Sequence, residues 1–363
     1  MDVTFEQART FFLEGVRHYE AGRWLQAEQK FAASLSLAPA RPSVLTNLGA
    51  VRLKLGRPDE ALTLLQEALA LEPDNAEALG HCGTALAELG VPAQALQMFD
   101  RALGRDASSA TIWRLRGTVL KELGRLDDAA DSFREALVRG GDQELLHYYL
   151  AGLEAAKPPR HAPRDYVETL FDNYAAHFDA HLVAALRYDA PPVLVDRLAA
   201  TGRHYANALD LGCGTGLCGR YLRPLADRLS GVDLSGNMLD KAQQTGLYDE
   251  LRHADIKEFL ARATEAYDLV VAADVFVYVG ALDEVFGHVA KHMVPGGRFA
   301  FTVEESLGAE LELRPSLRYA HSEAGLRRLA DANGFRIAAL EHRPVREDQR
   351  QPIPGLFVWL EKS

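Results

Sequence analysis

The sequence predicts two folds in succession, an all-α solenoid of stacked helix pairs and then an α/β doubly wound domain. The first prediction rests on small residues that recur every 34 positions through the N-terminal half. The second rests on an apolar strand that enters a glycine-rich loop, with further strands and helices alternating behind it. A proline-rich stretch separates the two patterns. The length of 363 residues suits about two domains.

The repeat appears as four residue series with a common step of 34. One glycine series lets two helices approach closely, and the other supplies the turn between them, where a positive φ is needed. We place four units at 8–41, 42–75, 76–109 and 110–143, with a capping helix at 142–156. The series are Gly15, Gly49, Gly83 and Gly117; Gly22, Gly56, Gly90 and Gly124; Ala27, Ala61, Ala95 and Ala129; and Ala68, Ala102 and Ala136, headed by Ser34.

This pattern resembles the tetratricopeptide repeat (TPR). The resemblance implies a concave groove that binds a protein or peptide partner, and the alternative is a packing or dimerisation element without a separate partner. Basic and amide side chains that could face the groove form no clear clamp; they are Arg17, Asn47, Arg52, Arg114 and Lys121. Residues 157–164 contain three prolines and predict an extended linker, so the second domain would occupy 165–363.

The glycine-rich loop predicts a ligand site in the second domain. An apolar strand leads into Asp210-Leu211-Gly212-Cys213-Gly214-Thr215-Gly216, where glycines let the backbone pass close to a ligand. The next strand ends in Asp233, where a carboxylate can accept hydrogen bonds from both hydroxyls of a ribose. The third and fourth strands end in Asp255 and Asp274, and ligands of this fold bind at the carboxyl ends of the strands. Helices are expected at 165–187 and 217–227, and a fifth strand at 298–303. These features favour a nucleoside-type cofactor.

Two cofactors fit the loop. The run from Gly214 to Gly219 satisfies the dinucleotide fingerprint, which is weak by itself. Three features favour S-adenosylmethionine instead: Asp210 precedes the loop and can face the cationic end of the cofactor, Asp255 and Ile256 supply an adenine acceptor and an apolar face, and the chain ends in a reversed strand hairpin. Such a hairpin is foreign to the dinucleotide-binding fold.

Residues 165–363 therefore resemble class I S-adenosylmethionine-dependent methyltransferases, which have a Rossmann-like sheet of seven strands. The resemblance implies cofactor contacts at the loop, the ribose acid, the adenosine side, the adenine pair and the end of the fourth strand. The matching residues are Asp210, Gly212, Gly214, Gly216, Asp233, Leu234, Met238, Asp255, Ile256, Asp274 and Val275. The segment 171–179 resembles a lid helix, in which Tyr174 would contact the cofactor or share a core role with Phe178.

Methyl transfer needs mainly alignment and the exclusion of water, and a general base only where the nucleophile must lose a proton. Candidate bases are His321, Tyr319 and Tyr278; a helix-start or surface histidine and packing tyrosines are the alternatives. No metal-ligand cluster has usable spacing. After Asp274 the chain reads Val-Phe-Val-Tyr and lacks the two prolines typical of enzymes that methylate bases or glutamine. With a net charge of −11, this disfavours nucleic-acid substrates.

We expect methyl transfer to an O, N or C atom of a small or carrier-bound metabolite, with the TPR array binding a protein partner. The alternatives are a protein methyltransferase whose array selects the polypeptide, and a cofactor-binding scaffold without turnover. The longest uncharged run, Leu89 to Phe99, is too short to cross a membrane, so no membrane insertion is expected. Three cysteines suggest no disulfide framework, and we expect a cytoplasmic protein.

Overall fold

The chain forms two compact units, Met1–Glu154 and Ala155–Ser363, in a computed structural model that describes residues 3–154, 157–175, 188–348 and 351–363. The first unit is helical and the second is built on a mixed sheet, so the predicted fold class is confirmed. Among the helices that lie in these ranges, none has the length and apolar character that crossing a bilayer requires.

The first unit is a succession of helices, each of which packs against the next. The helices are α1 (Val3–Glu20), α2 (Trp24–Leu37), α3 (Pro42–Lys54), α4 (Pro58–Leu71), α5 (Ala76–Glu88), α6 (Pro92–Arg105), α7 (Ala110–Glu122), α8 (Leu126–Val138) and α9 (Gln143–Leu153). Side chains of Asn75, Ser109 and Asp142 cap the N-termini of α5, α7 and α9.

The two glycine series occupy the positions that the sequence assigned to them. The turn glycines have φ values between +70° and +73°, which only glycine adopts without strain. The helix glycines face a large apolar side chain of the partner helix. A Cβ atom on Gly15, Gly49, Gly83 or Gly117 would lie 2.5–2.8 Å from Phe31, Leu65, Phe99 or Phe133 respectively. The step of 34 thus repeats one close contact between paired helices.

We expect Gly83→Ala to lower the free energy of unfolding of the first unit by about 1–3 kcal/mol, because its methyl group would overlap the ring of Phe99. Gly104→Ala is the matched control, since Gly104 lies in α6 and nothing lies within 4 Å of its added Cβ. That control should stabilise the unit by about 0.5–1 kcal/mol. Urea unfolding of both variants measures the difference, and equal effects would contradict the packing argument.

The last helix, α9, covers the apolar side of α8. Leu146 is fully buried, and the rings of Tyr149 and Phe133 lie 4.9 Å apart. This contact gives α9 the capping role that a terminal repeat needs.

The second unit contains these elements: α10 (Arg164–Tyr174), α11 (Ala190–Ala199), β1 (Tyr205–Leu211), α12 (Gly219–Leu222), a 3₁₀ turn (Arg223–Leu225), β2 (Ala226–Asp233), α13 (Gly236–Thr245), β3 (Glu250–His253), α14 (Ile256–Arg262), β4 (Tyr267–Ala272), α15 (Asp283–His292), β5 (Met293–Glu305), β6 (Leu311–Leu313), β7 (Tyr319–His321), α16 (Glu323–Ala332), β8 (Phe335–His342), β9 (Arg346–Asp348), β10 (Gln351–Ile353) and β11 (Gly355–Lys362).

Seven strands form a continuous path in the order β3-β2-β1-β4-β5-β11-β8. The first five are parallel, and β11 runs antiparallel to both β5 and β8. Leu209 and Leu211 belong to one hydrophobic cluster and Ala208 to another, because successive residues of a strand point to opposite faces. The sheet is therefore covered on both faces, and the carboxyl ends of its parallel strands meet at one edge.

Several elements differ from their predicted extent. The helix expected at 217–227 ends at Leu222 and passes into the 3₁₀ turn, because the ring of Pro224 removes a helical donor. Strand β5 is longer than the predicted 298–303. The short strands β6 and β7, which pair with each other and extend the sheet beside β5, were not predicted. Of the helix expected at 165–187, residues 176–187 lie outside the described residues.

The proline-rich segment is anchored to the second unit. The carbonyl oxygen of Arg160 accepts a hydrogen bond from Ala281 N at 2.7 Å, and that of Pro159 accepts one from the Tyr319 hydroxyl at 3.0 Å. Ala162 and Pro163 are buried. The segment is extended, as its prolines require, and these contacts make it part of the second unit.

Candidate functional site

The loop between β1 and α12 has a conformation that its glycines impose. Gly212, Gly214 and Gly216 all have positive φ, at +66°, +54° and +92°. A Cβ atom on Gly212 would lie 2.5 Å from a methyl group of Val275, so the loop packs directly on the segment that follows β4. The backbone N–H groups of Gly212 and Cys213 donate to the carbonyl oxygen of Val232. The loop is thereby fixed at the carboxyl edge of the sheet.

The Asp233 carboxylate joins this loop to the next helix. Its Oδ2 accepts a hydrogen bond from Gly214 N at 2.8 Å, and its Oδ1 accepts one from Ser235 N at 2.8 Å. Burial raises the pKa of Asp233, and these backbone donors oppose that rise. Each oxygen has a second lone pair, so the carboxylate can still accept hydrogen bonds from a ligand.

Asp210 lies beneath the loop and is 1% exposed. Burial raises its pKa to about 7; the hydrogen bond from Tyr248 opposes the rise and the charge of Asp233 adds to it. The Tyr248 hydroxyl donates to Oδ2 at 2.7 Å. Sequence reasoning missed Tyr248, because a lone tyrosine in the loop before β3 has no motif around it.

The adenine pair expected at Asp255 and Ile256 begins α14. Oδ1 of Asp255 accepts hydrogen bonds from the backbone N–H groups of Lys257 and Glu258, which makes it the N-cap of that helix. Ile256 is buried in the core cluster. Both of these hydrogen bonds use Oδ1, so the other oxygen of Asp255, Oδ2, is the one that could contact a ligand.

On the adenosine side, Met238 is fully buried and its backbone N–H donates to the hydroxyl of Ser235. Leu234 is half-buried, and its carbonyl oxygen accepts a hydrogen bond from the ring of His253. The structure therefore places Leu234 next to Asp233 at the open edge, and Met238 in the packing beneath it.

Asp274 follows β4 with a φ of +58°, an uncommon conformation for a residue with a side chain. Its backbone N–H donates to the Thr302 hydroxyl, and its Oδ1 accepts from Arg346. The other side of Arg346 pairs with Glu304, which also accepts from Arg314 at 2.7 Å. Asp274 thus belongs to a buried ion-pair network at the ends of β4 and β5, which sequence reasoning missed.

The helix expected to act as a lid, α10, lies against the start of α13. The Asp172 carboxylate accepts from the Ser235 hydroxyl at 2.5 Å and from Asn237 N at 3.3 Å. The ring of Phe171 meets that of Tyr278 edge to face at 5.1 Å. The helix therefore bridges the segments after β2 and β4.

Tyr174 lies at the end of α10 and is half-buried. Burial raises its pKa, and Tyr278 adds to the rise. Tyr174 lies one helical turn after Phe171, whose ring contacts that of Tyr278. Phe178, its expected partner, lies outside the described residues, as do His177 and His181.

Two of the three candidate bases donate hydrogen bonds to backbone carbonyl oxygens. His321 is 4% exposed, its Nε2 donates to the Gly280 carbonyl oxygen at 2.6 Å, and burial lowers its pKa to about 4. Tyr319 is fully buried, its hydroxyl donates to the Pro159 carbonyl oxygen, and burial raises its pKa. Tyr278 is half-buried and accepts a hydrogen bond from Arg318 at 3.3 Å. Tyr278 is therefore the candidate that lies beside the site.

Two family models match this chain, one within each unit. Residues 209–299 match the family model described as a methyltransferase domain. Residues 18–79 and 52–119 match the tetratricopeptide repeat model. The chain carries a methyltransferase domain preceded by tetratricopeptide repeats. The family resemblance inferred from the glycine loop and from the step of 34 is thus confirmed.

Curated relatives that match part of this chain include methyltransferases. Human methyltransferase-like protein 27 is 37% identical over 171 residues, which are 45% of this chain and 65% of that protein. Malonyl-[acyl-carrier protein] O-methyltransferase of Enterobacter lignolyticus is 32% identical over 136 residues, which are 38% of this chain and 52% of that protein. The chain thus spans between about half and two thirds of the length of these relatives.

Solved structures that align with part of this chain include magnesium protoporphyrin IX methyltransferase of Synechocystis with bound SAH, at a TM-score of 0.44 and 19% identity over 55% of this chain and 99% of that one. Another is the N-methyltransferase NodS of Bradyrhizobium japonicum with S-adenosylhomocysteine, at a TM-score of 0.44 and 19% identity, covering 54% of this chain and 97% of that one.

Proposed function

We propose that the methyltransferase unit binds S-adenosylmethionine and transfers its methyl group to an O, N or C atom of a small or carrier-bound metabolite. The observation that carries the proposal is a pair of acids, the buried Asp210 and the half-buried Asp233, on two sides of a glycine loop in which Gly212 has no room for a Cβ. A cationic ligand with a ribose suits this pair, because it meets one acid with charge and the other with hydroxyl donors.

The residues present fit this cofactor along its length. Asp210 would meet the cationic methionine end, Asp233 the ribose hydroxyls, and Asp255 with Ile256 the adenine. When bound, S-adenosylmethionine supplies an electrophilic methyl group on a sulfonium. The residues of the chain would fix the position of this ligand and exclude water from it. The fixed loop and α10, which is bonded to the start of α13, would do so at the sheet edge.

The described residues provide positioning rather than a proton acceptor. Tyr319 donates its hydroxyl proton to a backbone carbonyl oxygen, and His321 donates through Nε2. The other ring nitrogen of His321, Nδ1, is buried, and the pKa of about 4 makes this imidazole a weak proton acceptor. Tyr278 touches both α10 and Arg318, which makes it an acceptor-side contact. A substrate that is already nucleophilic at neutral pH would need nothing more.

The carrier-bound class is suggested by the malonyl-[acyl-carrier protein] O-methyltransferases among the relatives. The repeat array would recruit the protein partner or carrier. The side chains that could face its groove give limited support, because Arg52 is paired with Glu28 and Glu60 and the Asn47 amide is bonded to its own helix. A cytoplasmic location belongs to the same proposal, supported by three cysteines that are all free.

Calorimetric titration with S-adenosylmethionine tests the cofactor site. Asp233→Ala should weaken binding about 100-fold or more, because it removes charge-assisted hydrogen bonds to the ribose. Asp240→Ala is the matched control, since Asp240 is exposed on the neighbouring α13 and should leave affinity unchanged. Equal affinity of the Asp233 variant and the wild type would show that this carboxylate does not hold the cofactor.

Radiolabelled cofactor in native lysate tests the acceptor class, with and without residues 1–156. Label in small molecules or carriers supports the proposal. Label in other proteins that disappears with the truncation favours a protein methyltransferase whose array selects its substrate. Cofactor binding without any transferred label favours a scaffold.

A further inference from the structure

Tyr248 occupies a space that three glycines leave open. A Cβ atom on Gly219 would lie 2.5 Å from the Tyr248 hydroxyl, and one on Gly231 or Gly216 would lie 2.9 Å or 3.3 Å from its ring. These glycines belong to α12, to β2 and to the loop itself. The ring is therefore packed behind the loop, on the face of the paired strands β1 and β2 that carry Asp210 and Asp233.

The hydroxyl of this ring meets the buried acid. It donates to Asp210 Oδ2 at 2.7 Å, a normal length for a charge-assisted O–H···O bond. A hydrogen bond of this kind fixes the rotation of the carboxyl group and leaves Oδ1 for a ligand.

We infer that Tyr248 is a positioning residue of the cofactor site, whose hydroxyl keeps the Asp210 carboxylate oriented and ionised for a cationic ligand. This inference rests on the proposed function, since that function supplies the cation. Tyr248 itself touches the acid and the loop, and it acts on the ligand only through Asp210.

Electrostatics support the inference. Burial and the charge of Asp233 both raise the pKa of Asp210, and the Tyr248 hydrogen bond lowers it. The charge of Asp210 also raises the pKa of three other titratable groups, which are Tyr188, Cys213 and Cys218. Burial raises their pKa values too, so they are neutral at pH 7 and give no positive charge that could replace the hydroxyl.

The test is the affinity for S-adenosylmethionine between pH 6 and 9 in the full chain, for the wild type and Tyr248→Phe. Wild-type affinity should rise with pH through about 7, as Asp210 ionises. In the variant the rise should move upward by about one pH unit, so that affinity is about fivefold lower at pH 7 and close to tenfold lower at pH 6. The ratio of the two affinities should shrink at high pH, where both carboxyl groups are ionised.

Proton counting gives a second readout. Wild-type binding at pH 7 should release about half a proton, measured by calorimetry in buffers of different ionisation enthalpy, and the variant should release more. Tyr205→Phe is the control. It removes a buried tyrosine hydroxyl from β1, the strand that carries Asp210, and this hydroxyl does not contact Asp210. In an Asp210→Asn background, Tyr248→Phe should change affinity little.

The outcomes separate the two proposals. A pH-independent loss of affinity in Tyr248→Phe, or none at all, would overturn the positioning role and leave the cofactor assignment standing. Failure of the wild type to bind S-adenosylmethionine would overturn the proposed function itself.

Discussion

Replacing Arg346 with methionine is expected to lower the free energy of unfolding of the methyltransferase unit by about 3–5 kcal/mol. The Arg346 side chain is 2% exposed and pairs with both Asp274 and Glu304. Methionine fills a similar volume, so the loss comes mainly from two carboxylates left in a buried place with fewer partners. Urea unfolding, followed by a signal specific to this unit, measures the effect.

Arg336→Met is the matched control, because Arg336 is exposed on β8 and its pair with Glu361 is a surface pair. It should cost less than about 1 kcal/mol. Adding Glu304→Gln to Arg346→Met should restore part of the loss, since it removes one buried charge. A cost for Arg346→Met as small as that of the control would show that the network is energetically neutral.

Asp210→Asn should stabilise the protein without cofactor while weakening its binding to S-adenosylmethionine. The pKa of Asp210 is about 7 in the folded protein and 3.8 in the unfolded chain. This difference corresponds to a loss of about 4 kcal/mol of folding free energy when Asp210 is ionised. Between these values the unfolded chain loses its proton first, so ionisation of this group disfavours folding increasingly as pH rises from 4 to 7. Above pH 7 the penalty is complete.

Thermal or urea unfolding at pH 5, 6, 7 and 8 measures the difference in the free energy of unfolding between Asp210→Asn and the wild type. The contributions of the other carboxyl groups are the same in both proteins and cancel in this difference. The difference should grow in favour of the variant up to about pH 7, to no more than about 4 kcal/mol, and then level off. Asp240→Asn, which changes an exposed acid, should show no such trend. A difference that is constant with pH would contradict the raised pKa of Asp210.

Most of the site was predictable where one local pattern carries one physical requirement. Gly212, Gly214 and Gly216 were recognised because a loop that needs positive φ selects glycine, and Asp233 because it ends a strand beside that loop. The repeat was equally predictable, since each helix pair repeats the same contact between a glycine and a large apolar side chain after 34 residues.

The parts that escaped prediction depend on residues far apart in the chain. Tyr248 meets Asp210 across 38 positions, and Arg346 meets Asp274 across 72. His321 was a reasonable candidate base from its place in the sequence, yet folding buries it against the Gly280 carbonyl group and lowers its pKa to about 4. Such pairings follow from strand order, which no local window contains.

The sequence by itself determined that a repeat array precedes a doubly wound domain with a glycine loop, because periodicity and backbone conformation are local properties. Tertiary structure decided the electrostatics of the site. Only the fold shows that Asp210 is buried under Tyr248, that Arg346 neutralises Asp274, and that Tyr319 anchors the proline-rich segment. Burial and charge pairing depend on what the folded chain brings within a few ångströms, and these distances set the chemistry of the acids.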